Sequence, residues 1–184
     1  MNLQHLCSSE KSILYTGIFD KKTVVVKTIN PLCQDDIFVE DLETELSILS
    51  KVKHNNIIQL YGAGRTPNGN RFLILEYLEG GTLSQKVQLK TVNKYSMCKR
   101  NQFKFKMEDV LIHARSIADA LEYCQTSAID DCMVLHRDLK PDNIGMLIYQ
   151  LLSCYLLFTN LILLQRFYIK WRNQNNGLWV SHSH

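Results

Sequence analysis

After Asp142 the sequence has no aspartate and no glutamate, although Arg166, Lys170 and Arg172 stand in that stretch. The net charge of +3 therefore belongs to the end of the chain, and residues 1–145 balance 18 basic against 18 acidic side chains. A neutral body removes the electrostatic case for nucleic acid as a partner. No C-x-x-C pair occurs among the six cysteines (Cys7, Cys33, Cys98, Cys124, Cys132, Cys154), and Met1 to Lys11 lacks the apolar centre of a signal peptide. Both absences suit reduced thiols in the cytoplasm, each cysteine acting as a small buried hydrophobe. Residues 86–106 hold seven basic residues and no acid, which reads as a solvated surface connection, with a partner-binding patch as the alternative. No repeat or low-complexity tract appears before residue 146.

What is present alternates between two periods. "SILYTGIF" and "KKTVVVKTI" are β-branched and aromatic runs around the turn Asp20-Lys21-Lys22, which predicts two strands. From Asp35 to Val52 the residues Phe38, Leu42, Leu49 and Val52 recur at helical spacing, with Asp35 or Asp36 to cap the start. "NIIQLYGAG" and "NRFLILEYL" predict two further strands about the turn "RTPNGN", and "EGGTL" breaks the pattern. A second helix fits residues 107–124, with Val110, Ala114, Ile117, Leu121 and Cys124 on its apolar face. The order, mostly β with one helix and then helical, predicts an α+β fold.

Glu45 lies seven residues after Phe38 and four before Leu49, on the apolar face of its helix. Lys27 ends a Val-Val-Val run and shares a strand face with Val25. A buried charge needs a partner. Pairing Lys27 with Glu45 satisfies both; a snorkelling lysine and a helix-edge glutamate are the alternative. The densest chemistry is "HRDLKPDN". Asp138, Lys140 and Asn143 share a short stretch in which Pro141 prevents a regular helix. A carboxylate, an ammonium and an amide oxygen in one small volume suit phosphoryl transfer: a base, a cation for phosphate and a ligand for Mg²⁺.

These segments resemble the eukaryotic protein kinase family. "HRDLKPDN" is similar to its catalytic loop, "VVVK" to its phosphate-pairing lysine strand, "HNNIIQLYG" to its fourth strand and "LILEYLEGGTL" to its hinge. The resemblance implies an antiparallel N-lobe sheet plus one helix, followed by the first part of a helical C-lobe, incomplete. It implies ATP and Mg²⁺ as cofactors and a Ser/Thr-bearing protein as substrate. Asp138 becomes the catalytic base, Lys140 a contact to the transferring phosphate and Asn143 a metal ligand. Lys27, held by Glu45, contacts the α- and β-phosphates. Leu6, Leu14 and Val25 wall the nucleotide, Leu75 is the gatekeeper, and backbone groups of Glu76 and Leu78 meet adenine. Lys140 resembles the Ser/Thr kinases, and "LYGAG" is similar to their tyrosine-kinase-like branch.

Three departures accompany the likeness. The glycines of the family's G-x-G-x-x-G loop fall on Cys7, Ser9 and Ser12, and its usual alanine two residues before the lysine is Val25. A D-F-G aspartate has no counterpart, because no acid follows Asp142. The resemblance thus covers residues 6–145 and implies a domain cut short after its catalytic loop, active weakly or not at all. The alternative function is a catalytically inactive kinase fragment serving as a nucleotide- or partner-binding module. With the helix at 107–124 short of C-lobe neighbours, its apolar face is expected to be exposed or covered by the tail.

Residues 146–184 are read as a separate apolar tail. Residues 146–164 are uncharged, and as a helix they would extend about 28 Å, close to the bilayer core. A membrane span anchoring a cytosol-facing domain is one expectation. Against it, Gln150, Ser153, Thr159 and Asn160 weaken insertion, and Arg166, Lys170 and Arg172 fall on the wrong side for the positive-inside rule. A buried helix covering the open half-domain is a second reading. Non-native read-through from an intron or gene-model error is a third, favoured by the abrupt change after "DNIG".

Overall fold

The computed structural model describes residues 2–32, 36–88, 105–150, 157–163, 168–172 and 179–181. Cys33, Cys98, Cys154, Asp35 and most of the basic stretch, Lys90 to Lys104, lie outside the described residues. Five strands form one antiparallel sheet: β1 (Gln4–Ser8), β2 (Ser12–Phe19), β3 (Lys22–Ile29), β4 (Leu60–Arg65) and β5 (Arg71–Glu76), in the order β1-β2-β3-β5-β4. The hairpin of β2 and β3 closes at the pair Phe19↔Lys22. Its turn is therefore the two residues Asp20 and Lys21, both at positive φ (48° and 62°). That geometry matches the twist of paired strands, and aspartate tolerates it better than most residues.

The period of two in β3 sends its side chains to different places. Val24 and Val26 are buried with Ile74 on one face, backed by Tyr15, Tyr61 and Phe72. Val25 and Lys27 point to the other, where helix α1 (Asp36–Leu49) lies. Leu42, Glu45, Ile48 and Leu49 form the buried stripe of α1, so the predicted helix is present with its end three residues earlier. Glu43, on its outer side, accepts from Arg65 Nη2 and Arg71 Nε, each at 2.9 Å, which ties the helix to β4 and β5.

The main core does not stop at the sheet. Ile48, Ile57, Ile58, Leu73 and Leu75 are continuous with Ala120 and Cys124 of α3 (Met107–Thr126), Val134 of β6 (Cys132–Leu135), Ile144 and Met146. Tyr123 of α3 links the halves further: its hydroxyl accepts from the Lys53 N–H (3.1 Å) and its ring stacks on His54 at 5.0 Å. The buried stripe of α3 is His113, Ser116, Ala120 and Cys124. It is rotated from the predicted face: Val110 is exposed and only Cys124 of the five expected residues is fully buried. Met107, Leu111 and Ile112 are exposed as well, in keeping with a helix short of neighbours.

A short helix α2 (Leu83–Gln88) follows the hinge, and Pro141–Asn143 make one 3₁₀ turn. The tail differs from the expected helix over 146–164. Its described residues form β7 (Ile144–Gln150) and β8 (Leu157–Leu163), antiparallel from Ile144↔Leu163 to Gln150↔Leu157. Neither a spanning helix nor a covering helix is built there, and no helix among the described residues is long and apolar enough to cross a membrane. An apolar run of this length is ambiguous between helix and strand; Ile148, Tyr149, Phe158, Thr159 and Ile162 favour the strand. Strand β8 lies beside α3, and β9 (Tyr168–Arg172) pairs with β6 and with β10 (Trp179–Ser181). Met146, the first tail residue by sequence, is completely buried in the main core.

Candidate active site

A cleft of about 1100 Å³ runs between the sheet and the turn after β6. Every residue singled out from the sequence lines it. Leu6 lies at the irregularity between His5 and Cys7 in β1. Leu14 of β2 is paired with Cys7 on one side and Lys27 on the other, and Val25 stands two residues before Lys27 on β3. Leu75, fully buried, is paired with Val25 at the back. Glu76 gives its N–H to the Gln59 carbonyl (2.9 Å), and the Leu78 carbonyl accepts from Gly81 N–H (3.1 Å). The complementary atoms for a purine edge are the Glu76 carbonyl and the Leu78 N–H. Burial raises the Glu76 carboxyl above its ordinary value, opposed in part by the Gln59 N–H that points at it.

At the inner end Lys27 Nζ donates to Glu45 Oε2 at 2.6 Å, with both side chains buried. The ion pair inferred from two misplaced charges is present, and the snorkelling alternative is not realised. Glu45 Oε1 is buried with no hydrogen-bond partner among the described residues.

Across the cleft the 3₁₀ turn at Pro141 folds "HRDLKPDN" back on itself. Asn143 Nδ2 donates to the Asp138 carbonyl (2.8 Å) and to its Oδ2 (3.0 Å), and Lys140 Nζ lies 3.0 Å from the same Oδ2. Two donors therefore orient one carboxylate. With its amide nitrogen turned to Asp138, Asn143 keeps its carbonyl oxygen as the atom that could hold a cation. Among the described residues no group of three or more His, Cys, Asp or Glu side chains gathers at a point. The donor set fits a phosphate-bound Mg²⁺ with Asn143 as protein ligand, and not a protein-built cage. The cleft fits a nucleotide: apolar walls, a backbone edge, and an ammonium held at its inner end.

Several cleft residues were not anticipated. Glu10, Lys11, Asp41, Thr44 and Asp142 also line it. Gly80 and Gly81 exchange backbone hydrogen bonds with Met146, both at 2.9 Å, and so fasten the hinge to β7. "EGGTL" marks a break in pattern, but nothing in the sequence pairs it with Met146.

The family model for the protein kinase domain matches residues 8–151. The chain belongs to the protein kinase family. It is 35% identical over 105 residues to the mitogen-activated protein kinase kinase kinase zak-1 of Caenorhabditis elegans, covering 56% of this chain and 13% of that protein. It is 38% identical over 96 residues to the serine/threonine-protein kinase chk-1 of Caenorhabditis briggsae, covering 52% and 16%. A longer match, 29% over 147 residues, joins it to the probable serine/threonine-protein kinase fhkA of Dictyostelium discoideum, at 77% of this chain and 22% of that one. The chain thus spans under a quarter of the length of each of these relatives. Among solved structures, Rad53 residues 1–466 in complex with AMP-PNP superposes with a TM-score of 0.66 at 20% identity, over 89% of this chain and 38% of that one. At that identity the likeness is one of fold.

Proposed function

We propose that the kinase portion of this chain binds ATP in the cleft and serves phosphorylation of Ser or Thr on a protein substrate. The observation that carries this reading is the convergence on one cleft of two groups far apart in sequence, Lys27–Glu45 and Asp138–Lys140–Asn143. When bound, ATP supplies the phosphoryl group. Lys27, kept in place by Glu45, binds the α- and β-phosphates. Asp138 accepts the proton of the acceptor hydroxyl, and Lys140 faces the charge of the group in transit. Asn143 would hold Mg²⁺ together with phosphate oxygens of the nucleotide, and the ion would supply positive charge to the phosphates. On the same reading the domain faces the cytosol.

A second reading is favoured by the absence of any acid after Asp142. These residues offer Mg²⁺ only one side chain of the pair that kinases use, which suits a nucleotide- or partner-binding module without transfer. Calorimetry with ADP and AMP-PNP, alongside transfer of labelled phosphate to a Ser/Thr-rich protein, separates the two. On the first reading Lys27→Met weakens nucleotide binding, while Asp138→Asn retains it and lowers transfer by about 10²- to 10⁴-fold. Nucleotide binding without Mg²⁺ dependence or transfer would establish the second. Failure of millimolar nucleotide to bind the wild-type chain would sink the first reading and leave only the partner-binding form of the second.

A further inference from the structure

The turn between β1 and β2 carries one of the departures from the family pattern, and its hydrogen bonds define what that departure does. The Ser9 N–H donates to the Ser12 carbonyl (2.8 Å), and the Ser12 N–H donates to Ser9 Oγ (3.0 Å). The Ser9 hydroxyl also reaches the Ser12 carbonyl, at 3.1 Å. Asn30, just past the end of β3, closes over the outside of the turn. Its Nδ2 donates to the Ser9 carbonyl (2.9 Å) and its N–H to the Lys11 carbonyl (3.0 Å). At the tip, Lys11 Nζ sits 4.2 Å from the centre of the Phe38 ring on α1.

No residue from Cys7 to Ser12 has a positive φ. The shape is thus open to ordinary residues, and glycine is not needed to reach it. The consequence lies in the donors. Backbone N–H groups of a loop are what cradles a phosphate, and here those of Ser9 and Ser12 are both spent inside the turn. They can meet a phosphate oxygen only if the serine clasp opens.

We propose that Ser9, Ser12 and Asn30 form a specificity-determining clasp that leaves the cleft with little selection for the terminal phosphate. Adenine nucleotides are then held by the nucleoside end and by Lys27, so the di- and triphosphate bind about equally. This rests on the reading of the cleft as a nucleotide site.

The test compares the full chain, Ser9→Ala and Ser9→Gly/Ser12→Gly. Exchange of the Ser12 amide is followed by NMR, and ADP and AMP-PNP are titrated calorimetrically with Mg²⁺ present. The expected result is a protected Ser12 amide in the wild type that exchanges faster in Ser9→Ala. The two nucleotides should bind the wild type within about threefold of each other, and the double-glycine variant should favour AMP-PNP by about tenfold, as recovered N–H bonds to a charged group require. The clasp is disproved, with the cleft reading intact, if the wild-type Ser12 amide exchanges as fast as in Ser9→Ala. The same follows if the wild type already prefers AMP-PNP tenfold. Binding of neither nucleotide to any of the three proteins would overturn the cleft reading, and the inference with it.

Discussion

Lys27 Nζ and Glu45 Oε2 meet at 2.6 Å with both side chains more than nine-tenths buried, and Glu45 Oε1 has no hydrogen-bond partner among the described residues. A buried pair with one oxygen unsatisfied is a poor device for stability, since desolvation offsets most of the attraction. Breaking it from one side leaves a charge stranded between β3 and α1. Glu45→Ala is expected to destabilise the fold by about 3–5 kcal/mol, and Lys27→Met by a similar amount. The double change Lys27→Met/Glu45→Leu should recover most of that loss, because no charge is left behind. Urea unfolding of the four proteins checks this; additive losses in the double variant would show that the pair is not coupled.

Two glycines are required for different reasons. A Cβ on Gly80 would stand 2.4 Å from the Met146 carbonyl oxygen and 2.8 Å from its Cβ, inside a bridge made of backbone. Gly69 has open space around it but a φ of +85°. Gly80→Ala should cost about 1–3 kcal/mol by overpacking, and Gly80→Asn no less. Gly69→Ala should cost about 1 kcal/mol of backbone strain. Asparagine tolerates positive φ, so Gly69→Asn should cost less than Gly69→Ala. Chemical denaturation separates the patterns: only at position 69 does asparagine do better than alanine.

The parts legible in the sequence were those with a period, a turn-bounded run or a misplaced charge. The strands around Val24–Lys27 and Phe72–Leu75 are short runs rich in β-branched or aromatic residues and bounded by turn residues, and α1 announces itself by Leu42, Leu49 and the odd Glu45 between them. The Lys27–Glu45 pair was one of two readings of those charges, and the rest of the site was legible through the likeness of "HRDLKPDN", "VVVK" and "LILEYLEGGTL" to kinase segments. What failed was aperiodic. Residues 146–164 are apolar without alternation, so their length suggested a helix where β7 and β8 stand. On α3 the buried stripe contains His113 and Ser116, which a count of apolar residues passes over. The Ser9–Ser12 clasp and the Gly80–Met146 bridge are contacts between polar or backbone atoms, and hydrophobic patterning carries no trace of them.

The described cysteines should differ sharply in reactivity. Cys7 is exposed on the edge strand at the lip of the cleft. Cys124 is fully buried in the core, and burial pushes its thiol up to about 12; Cys132 is buried and raised in the same direction. The thiolate is the reacting species. Alkylation of the native chain at neutral pH, followed by peptide mass mapping, should therefore modify Cys7 and spare Cys124 and Cys132 until denaturant is added. Early loss of Cys124 would mean that α3 opens locally away from the core.

Stability should depend on pH through two groups with opposite signs. His113 is buried on α3, edge-on to Phe105 at 5.7 Å between ring centres. Burial lowers its pKa below 6.5, against an opposing pull from Asp109. The unfolded chain therefore binds a proton at a higher pH than the folded one, and stability falls as pH drops below 6.5. Glu76 is the reverse case. Burial raises its pKa above 4.5, so the folded chain holds its proton longer, and stability falls as pH climbs from 4.5 through the folded value. His113→Leu should flatten the acid-side loss below 6.5 and leave the Glu76 slope in place; Glu76→Gln should do the opposite. Urea midpoints across pH 4.5–7.5 for the wild type and both variants resolve the two contributions. A wild-type slope below 6.5 that survives in His113→Leu would move the acid sensitivity to another group.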